Sequence, residues 1–114
     1  MGQASIQRRA GRPRRRTRDQ VYAEETHCHL CGNWVDQTLP RWPKPHPLSA
    51  SVDELVPVHD GGDPDDRTNC RLAHRCCNTS RWCKPITEKV RARCRQLYTS
   101  HAAHFDATTT TYDW

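Results

Sequence analysis

Apolar residues are sparse along this chain and fall into short clusters, which predicts short elements around a small core. One cluster predicts a strand over residues 51–58 and contains Val52, Leu55, Val56 and Val58. Residues 60–66 follow with Gly-Gly, Asp-Pro and Asp-Asp pairs, which are typical of a turn. A short second strand over residues 71–73 and a short helix over residues 74–81 are expected after it.

Two further helices are predicted at the ends of the chain. Residues 86–98 place apolar side chains at helical spacing behind Pro85, a residue suited to a first helical turn. At the other end, Thr17 is a candidate N-cap for a helix that leads toward Cys28. The segment from Leu39 to Pro47 holds four of the eight prolines, so it is predicted to be an irregular loop.

These elements divide the chain into three parts. Residues 1–18 carry seven arginines and no acid, and their glycines and proline predict a disordered basic arm. Residues 19–98 hold the predicted strands and helices and are interpreted as one domain. Residues 99–114 end in a run of threonines and are predicted to be a flexible tail.

Composition narrows the class of protein. The chain has 114 residues, 34% of them hydrophobic, and a mean hydropathy of −1.00, so its core must be small and a metal or disulfides are expected to stabilise it. No run is apolar enough to span a bilayer or to serve as a signal peptide, which favours a cytoplasmic protein without a membrane partner. The net charge of +5 and the pI near 9.0 favour nucleic acid as a partner.

The cysteines favour zinc over disulfides. There are seven, an odd number, and no secretion signal accompanies them. Cys28-x-x-Cys31 has the spacing of half a tetrahedral zinc site, and His74-x-x-Cys77 places two further ligands on the first turn of a helix. Four other cysteines fit the spacing less well and are interpreted as thiols without a ligand role: Cys70, Cys76, Cys83 and Cys94.

A longer pattern surrounds this zinc motif. Val-Asp-Glu-Leu-Val-Pro over residues 52–57 is followed by Gly61-Gly62, then Asn69, and then the run Leu-Ala-His-x-x-Cys-Asn over residues 72–78. This ordered set resembles HNH endonucleases of the ββα-metal, or His-Me finger, class, and is especially similar to small HNH proteins of actinobacterial phages. The resemblance covers residues 28–81, about half of the chain.

The resemblance implies an α+β fold, a small zinc-stapled ββα-metal domain with flanking helices. It assigns a divalent-metal role to Asp53 and Asn78, and oxygen ligands of this kind suit Mg²⁺, Mn²⁺ or another hard divalent cation. It places Glu54 at the position of the general base and gives Asn69 the role of orienting the loop and the base. It also assigns the second zinc pair to His74 and Cys77, in agreement with their spacing.

Glu54 departs from the family pattern, in which the base is histidine. Histidine titrates near neutral pH, whereas an unperturbed glutamate with a pKa of about 4.3 is a weaker base. Three interpretations stay open: Glu54 is the base, His59 replaces it, or catalysis has been lost.

The expected function is a metal-dependent endonuclease that hydrolyses DNA phosphodiester bonds, with a structural Zn²⁺ and a second, catalytic divalent cation. Arg75 and Arg81, on the short helix, are expected to bind phosphate. The resemblance further implies a phage protein in a bacterial host cell, linked to genome packaging with a terminase subunit. The alternatives are a non-catalytic zinc-binding nucleic-acid module and a disulfide-stapled secreted domain.

Overall fold

The computed structural model describes the backbone of residues 2–112 and the side chains of residues 12–103. Three helices and one two-stranded sheet make up its regular structure: α1 (Gly2–Glu24), β1 (Ala50–Glu54), β2 (Cys70–His74), α2 (Arg75–Arg81) and α3 (Glu88–Tyr112). The predicted α+β class is therefore confirmed. Within the described residues no helix combines the length and apolarity needed to cross a membrane.

The sheet is a hairpin whose strands run antiparallel, with Ala50 opposite His74 and Glu54 opposite Cys70. β1 ends at Glu54, four residues before the predicted end of the strand. The reason lies in the side chains beyond it, since Val56 and Val58 are 45% and 52% exposed and contribute little to the core. Single turns of 3₁₀ helix cover Val58–Asp60 and Arg67–Asn69 in the connecting loop.

Helix α2 begins immediately after β2, with no connecting loop. His74 closes the strand in an extended conformation and stands at the N-cap. The first free amides of the helix are satisfied from the preceding segment, because Arg75 N donates to Ser49 O and Cys76 N donates to Pro47 O. These bonds lock the start of α2 against the chain that enters β1.

Helix α1 is longer than predicted and includes most of the basic segment. It begins at Gly2 and contains Pro13, so the expected arm boundary at Arg18 falls inside it. Thr17 is not an N-cap; it is buried, and its hydroxyl donates to the carbonyl of Asp65 at 2.8 Å. Buried Val21, one turn further on, anchors the same face of α1 to the core.

Helix α3 also exceeds its prediction. It begins at Glu88 and continues to Tyr112, so the expected tail boundary at residue 99 falls inside it. Asp113 and Trp114 lie outside the described residues. The core that these elements enclose is small and contains four large aliphatic side chains, Val21, Leu30, Val35 and Leu72, together with five buried cysteines.

Candidate metal centre and strand-end carboxylates

A tight knuckle between α1 and β1 positions the first two candidate metal ligands. Cys28 and Cys31 are both buried, and the amide of Cys31 donates to the Cys28 sulfur at 3.5 Å. The turn closes through Gly32 N, which donates to Cys28 O, and Gly32 adopts a φ of 82°, a conformation that favours glycine. The knuckle thus holds both sulfurs toward the core.

The junction of β2 and α2 supplies the other two ligands. His74 ends the strand and Cys77 lies in the first turn of the helix, so both side chains project from one face. His74 Nδ1 lies 3.3 Å from the Cys31 sulfur and 4.0 Å from the Cys77 sulfur. Its other ring nitrogen, Nε2, lies 2.9 Å from Trp34 O, a contact that leaves Nδ1 as the nitrogen that faces the sulfurs.

The structure brings together the four residues that spacing had singled out. The ligand atoms of Cys28, Cys31, His74 and Cys77 all lie within 4.8 Å of one another, and all four residues are buried. Zn–S distances of about 2.3 Å place sulfurs of one tetrahedral site about 3.8 Å apart, so a small contraction around an ion would complete the geometry. The cluster could therefore hold a metal ion, and three thiolates with one imidazole suit zinc.

The electrostatics of the cluster also favour a dication. Hydrogen bonds from the Cys28 and Cys77 thiols lower the pKa of Cys31 to about 3. The same close packing raises the pKa of Cys77, since Cys28 and Cys31 would be neighbouring anions. A bound dication removes this conflict because it stabilises all three thiolates and displaces their protons.

Cysteines outside the cluster have no ligand position. Burial raises the pKa of Cys70 and of Cys94 to about 11, so both are protonated, unreactive thiols at neutral pH. Cys76 and Cys83 are only partly buried. All seven cysteines are free, and no disulfide contributes to the fold.

Asp53 occupies a different environment from the open cation site that the resemblance implies. Its side chain is only 3% exposed, and both carboxylate oxygens are engaged. Oδ1 accepts from Arg81 Nη1 at 2.8 Å, and Oδ2 lies 2.8 Å from His29 Nε2. In this arrangement Asp53 presents no free oxygen to a divalent cation, so the residues present do not fit a catalytic ion there.

Arg81 was expected to bind phosphate, and its position contradicts that expectation. Its side chain is 2% exposed and lies between the end of β1 and the end of α2. Besides Asp53, it donates to three backbone carbonyls, those of Glu54 at 2.6 Å, Leu55 at 2.9 Å and Lys84 at 2.7 Å. Arg81 is therefore an internal brace with four hydrogen bonds to protein groups, and Arg75 is the exposed arginine of α2.

Asn78 lies against β1 beside Asp53. Its amide nitrogen donates to Ser51 Oγ at 2.8 Å and to Val52 O at 3.2 Å, the carbonyl directly before Asp53. The two residues assigned to a divalent cation thus neighbour the same short stretch of strand, and both Asp53 oxygens and the Asn78 amide nitrogen contact protein groups.

Asn69 fastens the loop that follows β1. Its side-chain oxygen accepts from Val56 N at 2.9 Å, and its amide nitrogen donates to Val56 O at 3.0 Å. Gly62 packs under the same carbonyl, since a Cβ there would meet Val56 O at 1.7 Å. Asn69 and Gly62 therefore fix the path of the chain immediately after the Asp53-Glu54 pair.

The two candidate bases have different surroundings. Glu54 is 22% exposed and pairs with Arg14 at 3.2 Å, at the edge of a groove between α1 and β1. His59 is 63% exposed in the loop, and its ring nitrogens lie 3.4 Å from Asp60 Oδ1 and 3.7 Å from the Cys83 sulfur. Glu54 faces Arg14 of α1, and His59 contacts loop residues instead.

Sequence reasoning missed two partners of these carboxylates. His29, between the two knuckle cysteines, was given no role, yet its Nε2 lies 2.8 Å from Oδ2 of Asp53. Arg14 was predicted to lie in the disordered basic arm, yet it lies in α1 and donates a hydrogen bond to the Glu54 carboxylate. The amphipathic pattern of Thr17 and Val21, four residues apart, was the signal that α1 docks on the hairpin.

Neither the family models, nor the curated proteins, nor the solved structures contain a match to this chain.

Proposed function

We propose that this protein is an HNH-type endonuclease that hydrolyses phosphodiester bonds in DNA, built on a zinc-stapled ββα-metal fold. The observation that carries the proposal is the arrangement around one hairpin. Asp53 and Glu54 end β1, Asn69 clamps the following loop, and Asn78 of α2 lies against the same strand. Along the chain these residues follow the order of the family pattern, with Glu54 in place of its histidine.

In the proposed role, zinc is structural. It would bind Cys28 and Cys31 of the knuckle and His74 and Cys77 of the β2–α2 junction, and so would link two parts of the chain that are distant in sequence. All four ligand positions would be filled by protein, which is the arrangement of structural rather than catalytic zinc.

Glu54 is the proposed general base. It is the partly exposed carboxylate at the strand end, whereas Asp53 is buried and engaged by Arg81. Hydrolysis needs a group that takes a proton from the attacking water and cations that stabilise charge on the phosphate. Arg14 lies beside Glu54, so a phosphate that binds Arg14 would be held next to the carboxylate that accepts the proton.

The test is cleavage of supercoiled plasmid by the zinc-loaded protein, both without an added divalent cation and with Mg²⁺, Mn²⁺ or Ni²⁺. We expect Glu54→Gln to lower the nicking rate by about 10²–10⁴-fold, the usual contribution of a general base. His59→Ala tests the alternative base. Glu88→Gln is the matched control, because Glu88 is a 74% exposed carboxylate on α3. Zinc content and circular dichroism establish that each variant is folded.

A second candidate function is a zinc-binding nucleic-acid module without catalysis. The buried Asp53–Arg81 pair favours it, because that pair occupies the position of a metal-binding carboxylate. Folded, zinc-loaded wild type that binds DNA and leaves it intact with every metal would establish this function and reject the nuclease.

A further inference from the structure

One face of α1 and the edge of β1 form a groove that begins at Glu54. Arg14, Arg18 and Tyr22 are spaced four residues apart, so they lie in a row on one side of the helix. Across the groove from this row lie Ser51 and Val52 of β1. The Arg14–Glu54 ion pair closes one end.

The groove continues beyond the start of β1 along a second depression. Arg18, Tyr22 and Ser51 line both parts, which makes them one continuous surface. The second part adds Arg75 of α2 and Arg41 and Trp42 of the proline-rich loop. This loop, which lacks helix and strand, thereby contributes directly to the surface beside the candidate site.

The groove is positively charged. Four arginines line it against two acids, Glu54 and Asp19, for a formal balance of four minus two, or +2. The side chains of Arg14 and Arg18 are 61% and 50% exposed, so their donors are accessible to a ligand. Arg41 lies over the ring of Tyr22, 4.5 Å from its centroid, and this contact holds its guanidinium at the rim.

Trp42 distinguishes this groove from a simple basic patch. Its side chain is 84% exposed, the most exposed of the large hydrophobic residues in the described part of the chain. A large aromatic ring that no core contact explains, set among arginines, is the combination found where bases stack and phosphates bind.

From these observations we infer that the groove binds a single nucleic-acid strand with unpaired bases. Arg18, Arg41 and Arg75 hold the backbone, and Trp42 stacks on a base. The inference rests on the proposed function and deepens it, because it names single-stranded or locally unpaired nucleic acid as the substrate class. In a duplex both faces of an internal base are already covered by stacking, so a ring such as Trp42 has access only to an unpaired one.

The same groove determines the path that a bound strand follows toward Glu54. A strand whose base stacks on Trp42 passes Arg18 and Ser51 and then reaches Arg14 at the Glu54 end. The phosphate nearest Arg14 is then the one presented to the proposed base.

Binding is measured by fluorescence anisotropy with labelled oligothymidine, oligouridine of equal length and a blunt-ended duplex without unpaired bases, using full-length zinc-loaded protein. Trp42→Ala removes one base-stacking contact. Its affinity for the single strands is therefore expected to be about 5- to 150-fold weaker than that of wild type, with little change for the duplex. Trp42→Phe should retain most of the affinity. Trp82→Ala is the control, because Trp82 is 75% exposed and lies outside the groove.

Two further readouts sharpen the test. Arg75→Ala should reduce the slope of log affinity against log salt by about 0.7, the value for one phosphate contact to a single strand. Equal binding of oligothymidine and oligouridine means that the groove reads base faces, and a preference for one identifies DNA or RNA as the source of the strand; both outcomes support the inference.

The inference is overturned if Trp42→Ala binds single strands with the affinity of wild type. It is also overturned if the variant loses affinity equally for single strands and for the duplex. The plasmid assay separates this failure from failure of the nuclease. If Glu54→Gln abolishes cleavage but Trp42→Ala has no effect on single-strand binding, the nuclease proposal is supported and the groove inference is rejected. If Trp42→Ala selectively loses single-strand binding but wild type does not cleave the plasmid, the groove inference is supported and the nuclease proposal is rejected.

Discussion

Replacement of Arg81 by methionine is the most demanding test of the site as described. Arg81 and Asp53 form an ion pair with side chains 2% and 3% exposed, and Arg81 also satisfies three backbone carbonyls. Methionine keeps much of the apolar volume but leaves the Asp53 carboxylate with His29 as its remaining partner. Removal of one member of a buried pair typically destabilises a protein by about 3–5 kcal/mol.

That loss is large for a domain of this size. Folded domains have free energies of unfolding of about 5–15 kcal/mol, so Arg81→Met should remove about a fifth or more of the stability. Asp53→Leu should destabilise for the mirror-image reason, since it leaves the guanidinium buried without a counter-charge. The double variant Asp53→Leu/Arg81→Met should recover part of the loss because it contains no uncompensated buried charge.

The measurement is urea unfolding followed by circular dichroism at a fixed zinc concentration, with zinc content determined for each variant. Arg75→Met is the matched control, because Arg75 is the exposed arginine at the other end of the same helix. A loss below about 1 kcal/mol in Arg81→Met would refute the description of Arg81 as an internal brace. A double variant as unstable as the sum of the two single variants would refute the coupling between the two charges.

Two further predictions concern the rest of the fold. Removal of zinc with a high-affinity chelator should abolish the cooperative melt and most of the helix signal, because structural zinc contributes about 10–16 kcal/mol at pH 7; a metal-free protein that still melts cooperatively would contradict this. Burial opposes ionisation of Glu25, but hydrogen bonds from Leu72 N, Arg71 and Arg67 outweigh it and lower the pKa of Glu25 below its ordinary value of 4.5. The stability from this carboxylate is therefore present above about pH 4.5 and is lost as the pH falls through the lowered pKa. Glu25→Gln should be less stable than wild type at pH 7 and should lose less stability on acidification. Unfolding curves at several pH values measure both differences.

The four candidate metal ligands were predictable from sequence because their geometry is local. Two residues three apart on a tight turn, or on the first turn of a helix, present side chains to the same side wherever the segment lies. The turn after β1 was also predictable from local sequence, since Gly61 adopts a φ of 94° and position 62 has no room for a side chain. The strand, the turn and α2 were accordingly foreseen near their observed positions.

The surroundings of the carboxylates depended on contacts between distant parts of the chain. Asp53 meets His29 and Arg81, 24 and 28 residues away, and Glu54 meets Arg14, 40 residues away. Spacing within a segment carries no information about such pairs, because they form only when α1 and the knuckle dock on the hairpin. The sequence by itself determined which three cysteines and which histidine form a cluster that could hold zinc. Only the tertiary structure decided that Asp53 is buried in an ion pair, that Arg81 is a brace, and that α1 and Trp42 line a basic groove leading to Glu54, since burial and charge pairing follow from packing between elements.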